Sequence, residues 1–395
     1  MSDIADVVVV SGCRTAIGSF GGSLKDSSPG ELGTVSLKES IKRSGLAPDA
    51  IRHAVFGNVI HTEPRDMYLS RYIAVSAGLP VEAPALTLNR LCGSGLQAVV
   101  SAAQMIMLGD VETAAAGGAE CMSRGPYWLP TARWGQRMGD GELVDVMVSA
   151  LTDPFSKCHM GITAENVAAK YHISREDQDA LAAESHNRAA NAVDNGYFKD
   201  QIVPVEIKRK KETLLFDTDE HLRRDVKPED MGKLRPVFKE DGSVTPGNAS
   251  GINDGAASVI LASGKYAEKH NLAPMARLVG YAHAGVDPDY MGIGPVPAIQ
   301  NVFDRTGLGV ADMDVIELNE AFASQALAVI RELDLPLDKT NPNGSGISLG
   351  HPVGATGCLI TVKALYELQR TGGRYALISM CIGGGQGIAA IFERL

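Results

Sequence analysis

No apolar run in this 395-residue chain approaches the ~18 to 20 residues that cross a bilayer, so no membrane span is expected. The opening residues, MSDIADVVVV, place acids before a short apolar run, with neither a basic stretch nor a small-residue cleavage site, and do not read as a secretory leader. The chain is therefore expected to be soluble and cytoplasmic. C-x-x-C is missing, as is any His/Cys spacing suited to zinc, so Cys13, Cys92, Cys121, Cys158, Cys358 and Cys381 are expected to be free thiols and no metal site is expected. No P-loop occurs. Positive charge is in short supply too: a net charge of −10 argues against nucleic acid and anionic membranes as partners.

Glycine is plentiful. The 43 glycines, about 11% of the chain against a usual ~7%, cluster beside Asn, Ser, Cys and His, which points to tight turns where backbone approaches a ligand. One segment departs from the acidic balance: 207–240 carries ten Lys or Arg, among them Lys208 to Lys211, against eight acids, and on composition reads as a solvated charged face.

Short β-branched runs alternate with helical patterns from the start: Val7 to Val10, a helix from Ser28, Ala54 to Ile60, a helix near Met67, Ala85 to Asn89, a helix from Ser94, and Thr113 to Ala116. This order implies βαβ units. Ser28 and Glu31 form a capping box, Pro29 lies in the first turn, and Gly45 and Pro48 mark the exit, so the first helix has chemically defined ends. After about residue 270 the alternation returns, with Ala276 to Tyr281, a helix from Pro297, Val315 to Leu318, a helix from Ala321, Gly354 to Arg370, and Tyr375 to Met380. A Gly-rich turn, a long helix, a short strand and a Gly pair recur in order in the two stretches starting LCGSGLQAVV and LGHPVGATGC. The chain thus reads as two similar halves, 1–119 with a return at 251–270, and 271–395. Residues 120–250 form a long insertion over the ligand end of the sheet, the natural place for substrate contacts.

Cys92 stands after a predicted strand and before a predicted helix, where unpaired N–H groups and the helix dipole would lower a thiol pKa from ~8.5; a small buried apolar cysteine is the competing reading. His351 occupies the matching turn of the second half. It is either the base that activates Cys92 or a structural residue in a Gly-rich loop. Cys381, at the end of the last predicted strand, is an acid/base or a core thiol. Asn319 is a site residue or the cap of the helix from Ala321.

Five stretches, N-R-L-C-G-S-G at 89–95, G-N-A-S-G at 247–251, N-E-A-F at 319–322, G-H-P at 350–352 and C-I-G-G-G at 381–385, resemble the motifs of the thiolase family in the family's order. H-M-G-I-T-A-E-N at 159–166 and M-G-I-G-P at 291–295 are most similar to the bacterial acetyl-CoA acetyltransferase and β-ketothiolase branch. The resemblance implies an α/β fold of duplicated thiolase-like βαβαβ halves, a layered α-β-α-β-α core with a long inserted loop domain. It implies Cys92 as the acylated nucleophile, His351 as its activator, Cys381 as acid/base, Asn319 as holder of a catalytic water, and the N–H of Gly383 as a donor to the acyl oxygen. It assigns a coenzyme A tunnel to Ser250, His159, Met160, Phe238, Met291 and Phe322, with Arg223 at the adenine nucleotide end. Against the tunnel stand the ordinary roles of Met and Phe as core residues and of His159 as partner to a backbone carbonyl. The implied partners are acetyl-CoA and short-chain acyl-CoA or 3-ketoacyl-CoA, with no cofactor beyond coenzyme A as substrate and product. The implied assembly is a homo-oligomer, a tetramer with Tyr127 to Arg137 as candidate contacts, and the implied setting is fatty acid metabolism or polyhydroxyalkanoate biosynthesis.

Other classes fit less well. A papain-like hydrolase lacks its cysteine motif here and leaves Cys381 without a role. A ketoacyl synthase shares the duplicated architecture but not C-I-G-G-G. A non-catalytic CoA- or lipid-binding homologue would have no need of the four site residues. A dinucleotide enzyme needs a helix and a further βαβ unit after its Gly-rich turn, and only eight residues follow Gly387.

Overall fold

The computed structural model describes residues 5–208 and 212–395, so Arg209, Lys210 and Lys211 of the basic segment lie outside the described residues. Strands β1 (Val7–Arg14), β2 (Ala54–Gly57), β3 (Ala85–Leu88), β4 (Thr113–Cys121) and β5 (Asn253–Ser263) form the first half. β6 (Ala276–Gly285), β7 (Val315–Leu318), β8 (Tyr375–Ile382) and β9 (Gln386–Arg394) form the second. Their order is β7-β8-β9-β6-β1-β5-β4-β2-β3. Within the sheet the two halves meet through a short antiparallel contact of β1 with β6 at Val8↔Arg277 and Val9↔Ala276.

The duplication is visible in the pairing. In the first half β1 runs antiparallel to β5, β5 antiparallel to β4, and β4 parallel to β2. In the second, β6 runs antiparallel to β9, β9 antiparallel to β8, and β8 parallel to β7. β2 and β3 are parallel, and a bridge from Ile316 to Thr340 takes the same place beside β7.

Helices α1 (Pro29–Ser44) and α2 (Leu69–Ser76) cover the outside of one half; α6 (Pro295–Thr306) and α7 (Ala323–Glu332) cover the other. Between the sheets lie α3 (Ser94–Leu108) and α8 (Thr356–Thr371), packed on each other, α3 also on β2, β4 and β5 and α8 on β5 and β8. This is the expected layered α-β-α-β-α arrangement. A strand between two helical layers is buried on both faces, which is why β1 opens on four consecutive valines and every residue of it is buried. Residues Leu91–Leu108 correct the expectation of no span-like run: they are long and apolar enough for a membrane span. They are apolar all round because α3 sits between two sheets.

α1 has the ends expected of it. Ser28 accepts from the Glu31 amide, Glu31 returns a bond to the Ser28 amide, and Gly45 closes the helix at φ 71°. β5 and β9, by contrast, were not expected as strands. β5 pairs Asp254 with Cys121 at the end of β4, so residues 122–252 leave and re-enter the sheet at adjacent strand ends. In that insertion lie α4 (Met160–Lys170) and α5 (Arg175–Asp194).

The α3 and α8 backbones touch near their N-termini. A Cβ on Gly95 would sit 2.6 Å from the Cys358 amide nitrogen, and one on Gly357 would sit 2.2 Å from that of Leu96. Only glycine permits this crossing, and it brings the turns ahead of the two helices together.

Candidate active site

The turn before α3 holds Cys92. Leu91 adopts φ 46°, a left-handed conformation that strains a branched residue. The turn is fixed by Asn89 Oδ1, which accepts from the Leu91 amide at 2.8 Å, and by Ser94 Oγ, which donates to the Leu91 carbonyl at 2.7 Å. His351 lies in the turn before α8, its amide donating to Asn253 Oδ1 at 3.0 Å. Nearby Gly354 donates its amide to Glu120 Oε2 at 2.9 Å, so a carboxyl group of the first half holds the His351 turn of the second. Gly383 opens the β8–β9 hairpin, whose left-handed residues Gly384 and Gly385 have φ 78° and 79°.

These turns meet in one mainly apolar cavity of about 250 Å³, lined by Cys92, His351, Gly383, His159, Met160, Phe238, Ser250, Met291 and Phe322. The expected nucleophile, base, amide donor and tunnel residues are thus brought together. His159 stacks on Phe238 with ring centroids 4.8 Å apart, and Phe238 meets Phe322 edge-on at 6.4 Å. His159 Nδ1 accepts from the Gly161 amide at 3.1 Å, so this histidine caps α4 rather than serving a carbonyl. Val59, Leu91, Met122, Leu151, Ile252 and Val353 also line the cavity. Sequence reasoning missed them. Only their position beside motif residues could have pointed to them, since apolar side chains carry no chemical signature of a ligand.

Cys381 and Asn319 stand just behind this surface. Cys381 is fully buried with Met160, Met291 and Phe322. Asn319 Nδ2 lies 3.5 Å from His351 Nε2, a long contact, while its Oδ1 is buried without a partner. Asn319 does not cap the following helix: α7 starts at Ala323 and its N-cap position, Phe322, makes no side-chain cap. Arg223 lies apart from the cavity, exposed, its amide donating to His186 Nδ1 at 3.2 Å. Elsewhere in the basic segment Arg224 pairs with Asp194 and Lys233 with Asp230.

The electrostatics correct one expectation. Burial pushes the Cys92 thiol up to about 11, although the Gly383 amide and its own amide hold the sulfur the other way. The helix N-terminus therefore does not produce a standing thiolate: removing the charge from water outweighs two amide dipoles. Burial likewise brings His351 down to about 4, leaving a neutral imidazole, and raises Cys381 far above the ordinary thiol range. The site is a set of neutral proton carriers in an apolar pocket. It suits general base catalysis on a thiol, followed by attack on a carbonyl whose oxygen meets the amides.

Comparison with known proteins agrees with this geometry. The family described as "Thiolase, N-terminal domain" matches residues 7–265, and "Thiolase, C-terminal domain" matches 272–394. The chain is 64% identical to beta-ketothiolase BktB of Cupriavidus necator, over 99% of both chains. It superposes on the crystal structure of Bacillus anthracis acetyl-CoA acetyltransferase with a TM-score of 0.98 at 45% identity, covering all of both chains. Human mitochondrial 3-ketoacyl-CoA thiolase in complex with CoA gives 0.96 at 46% identity, over 100% of this chain and 99% of that one.

Proposed function

The chain belongs to the thiolase family, and from that premise we propose that it is an acyl-CoA:acetyl-CoA C-acyltransferase acting reversibly on short-chain 3-ketoacyl-CoA through an acyl-Cys92 intermediate. The observation that carries the reading is the convergence of Cys92, His351 and the Gly383 turn on one apolar cavity, with Cys381 and Asn319 directly behind it.

In the synthetic direction Cys92 Sγ attacks the thioester carbonyl of acetyl-CoA as its proton passes to His351. The amides of Cys92 and Gly383 receive the oxyanion, an interaction in which one donor is worth roughly 3 to 4 kcal/mol. The tetrahedral intermediate expels coenzyme A, which takes the proton from His351. Cys381 then passes its thiol proton to His351 and, as thiolate, takes an α-proton from a second acetyl-CoA; the enolate oxygen is held by the protonated His351, which later returns its proton to Cys92, and by a water on Asn319. The enolate carbon attacks the acyl group, breaking the bond to Sγ, and Cys92 is reprotonated as 3-ketoacyl-CoA leaves. Thiolysis is the reverse. His159, Phe238, Met160, Met291, Phe322 and Ser250 give the pantetheine arm an apolar channel with few polar contacts, and Arg223 serves the nucleotide end.

The enzyme acts in the cytoplasm as a homotetramer. Trp134 and Met138, 87% and 95% exposed on the loop after β4, support self-association there. Incubation with acetyl-CoA followed by intact mass should show one acetyl group on Cys92, and thiolysis of 3-ketoacyl-CoAs of four to about ten carbons should favour four and five. An adduct on Cys381 or Cys358 would overturn the assignment of the nucleophile, and a preference for eight carbons or more would overturn the short-chain reading.

A further inference from the structure

We propose that Thr356 is a positioning residue for acyl transfer: its hydroxyl, set between the His351 ring and the Pro352 carbonyl, commits His351 to the tautomer with hydrogen on Nδ1 and a lone pair on Nε2. The proposal rests on the thiolase reading above. Thr356 is the first residue of α8 and is buried. Its Oγ1 lies 2.6 Å from His351 Nδ1 and 2.9 Å from the Pro352 carbonyl oxygen.

A hydroxyl has one hydrogen to give, and a carbonyl oxygen only accepts. With that hydrogen directed to Pro352, Oγ1 presents lone pairs to the ring, so Nδ1 must carry the hydrogen of this contact. Nε2 is then the acceptor, close to Asn319 Nδ2, on a ring that lines the same cavity as Cys92. Were the hydroxyl to donate to Nδ1 instead, the ring hydrogen would sit on Nε2, and the Cys92 proton would have nowhere to go. Among the described residues Thr356 is the hydrogen-bond partner of Nδ1. The state of the ring is therefore set by one side chain five residues along the chain.

The hydroxyl is separable from the fold. The Pro352 carbonyl already accepts from the amides of Ala355 and Thr356, each at 2.9 Å, and keeps both when the hydroxyl is removed. Valine retains the branched shape, so Thr356→Val takes away the partner of Nδ1 and little else. The affected step is balanced as follows. The Sγ–C bond forms as the Cys92 proton moves to Nε2; the thioester C–S bond breaks; the proton leaves with coenzyme A; and the ring returns to its starting tautomer.

The test compares full-length wild type, Thr356→Val and Thr356→Ser in single-turnover acylation by acetyl-CoA, read by intact mass, with melting temperatures and neutron diffraction of the wild type. Where a buried carboxylate fixes the tautomer of a reacting histidine its loss costs about 10⁴ in kcat, and a neutral hydroxyl partner is expected to matter less. Thr356→Val should acylate at least about tenfold more slowly at saturating acetyl-CoA, with half-saturation unchanged, and Thr356→Ser should restore the rate. Melting temperatures should agree among all three, and the neutron map should show a deuteron on Nδ1. Wild-type rates in Thr356→Val, a deuteron on Nε2, or a Thr356→Ser variant as slow as Thr356→Val would each overturn the proposal. A wild type that takes up no acetyl group would overturn the thiolase reading, and this proposal with it.

Discussion

Cys92 should rest as a thiol, and alkylation measured against pH will show whether it does. Burial sets its pKa at about 11 and that of His351 at about 4. Passing the proton between them in the free enzyme is therefore uphill, because burial disfavours both the thiolate and the imidazolium it would create. Ionisation to solvent leaves only about one sulfur in 10⁴ as thiolate at pH 7. Iodoacetamide reacts with thiolate. Its rate at Cys92 should thus rise about tenfold per pH unit from roughly pH 6 to pH 10 without levelling, read by intact mass, with Cys92→Ser used to subtract labelling of the half-buried Cys158. Acylation by acetyl-CoA should vary little over roughly pH 7 to 9, because His351 is neutral throughout and takes the proton as the new bond forms. A plateau of alkylation near neutrality would refute the reasoning. It would require a standing thiolate–imidazolium pair, with the helix terminus and amides outweighing desolvation after all.

Cys381→Ala should let acetyl-Cys92 accumulate while condensation falls by ~10² to 10⁴, the usual contribution of a general acid/base; condensation near the wild-type rate would defeat the two-sulfur mechanism. Gly357→Ala places a methyl 2.2 Å from the Leu96 amide nitrogen, and overpacking of this kind costs roughly 1 to 3 kcal/mol or more, so a thermal melt unchanged from wild type would contradict the backbone-to-backbone crossing of α3 and α8. His351 also predicts an acid limit. Its pKa falls from 6.5 to about 4 on folding, so between those values the unfolded chain binds a proton that the folded one does not. Stability from this group is complete above about 6.5 and drains by about 3 kcal/mol as pH falls to about 4. In urea titrations the stability advantage of wild type over His351→Gln should shrink by that order across this window, and an advantage independent of pH would sink the claim.

What could be read in the sequence was chemistry confined to a few neighbouring residues. α1 was legible to its ends because Ser28, Glu31, Pro29 and Gly45 each act within one turn. The turns bearing Cys92 and His351 were legible as turns, and their convergence followed from the repeat. β5 and β9 were not, because a strand is defined by its partner: Asn253–Ser263 finds β4 across an insertion of more than a hundred residues, and Gln386–Arg394 is a strand by virtue of pairing with β8 and β6. The Cys92 pKa failed for the same reason. The helix terminus is local and visible; the apolar wall of Met122, Leu151, Ile252 and Val353 comes from distant parts of the chain. Cys381 was separable from a core cysteine only by resemblance, and its complete burial shows why spacing could not decide.

The duplication also explains why the two halves make one active site. β2 pairs with β4 at Gly57↔Gly118, and β7 with β8 at Leu318↔Ser379, each an offset of 61 positions. One residue beyond the first partner stand Asn58 and Asn319; two beyond the second stand Glu120 and Cys381. By the same correspondence Gly354, two residues before α8, answers to Cys92, two before α3. In the first half Glu120 fills the position with a carboxylate that accepts from Asn58 Nδ2 and from the amides of Val59, Ile60 and Gly354, at 2.9 to 3.1 Å. Even so, burial lifts its pKa to about 8. Three backbone amides and a side-chain amide do not fully offset the desolvation of a charge there, and at pH 7 the carboxyl is mostly protonated. The Cys92 sulfur meets the amide of Gly383 from the second half and that of Cys92 itself, and a lasting charge on it is correspondingly disfavoured. The same scaffold is a poor host for an anion at rest and a good one for an oxyanion that forms only in passing, which is the difference between ground state and transition state that accelerates a reaction.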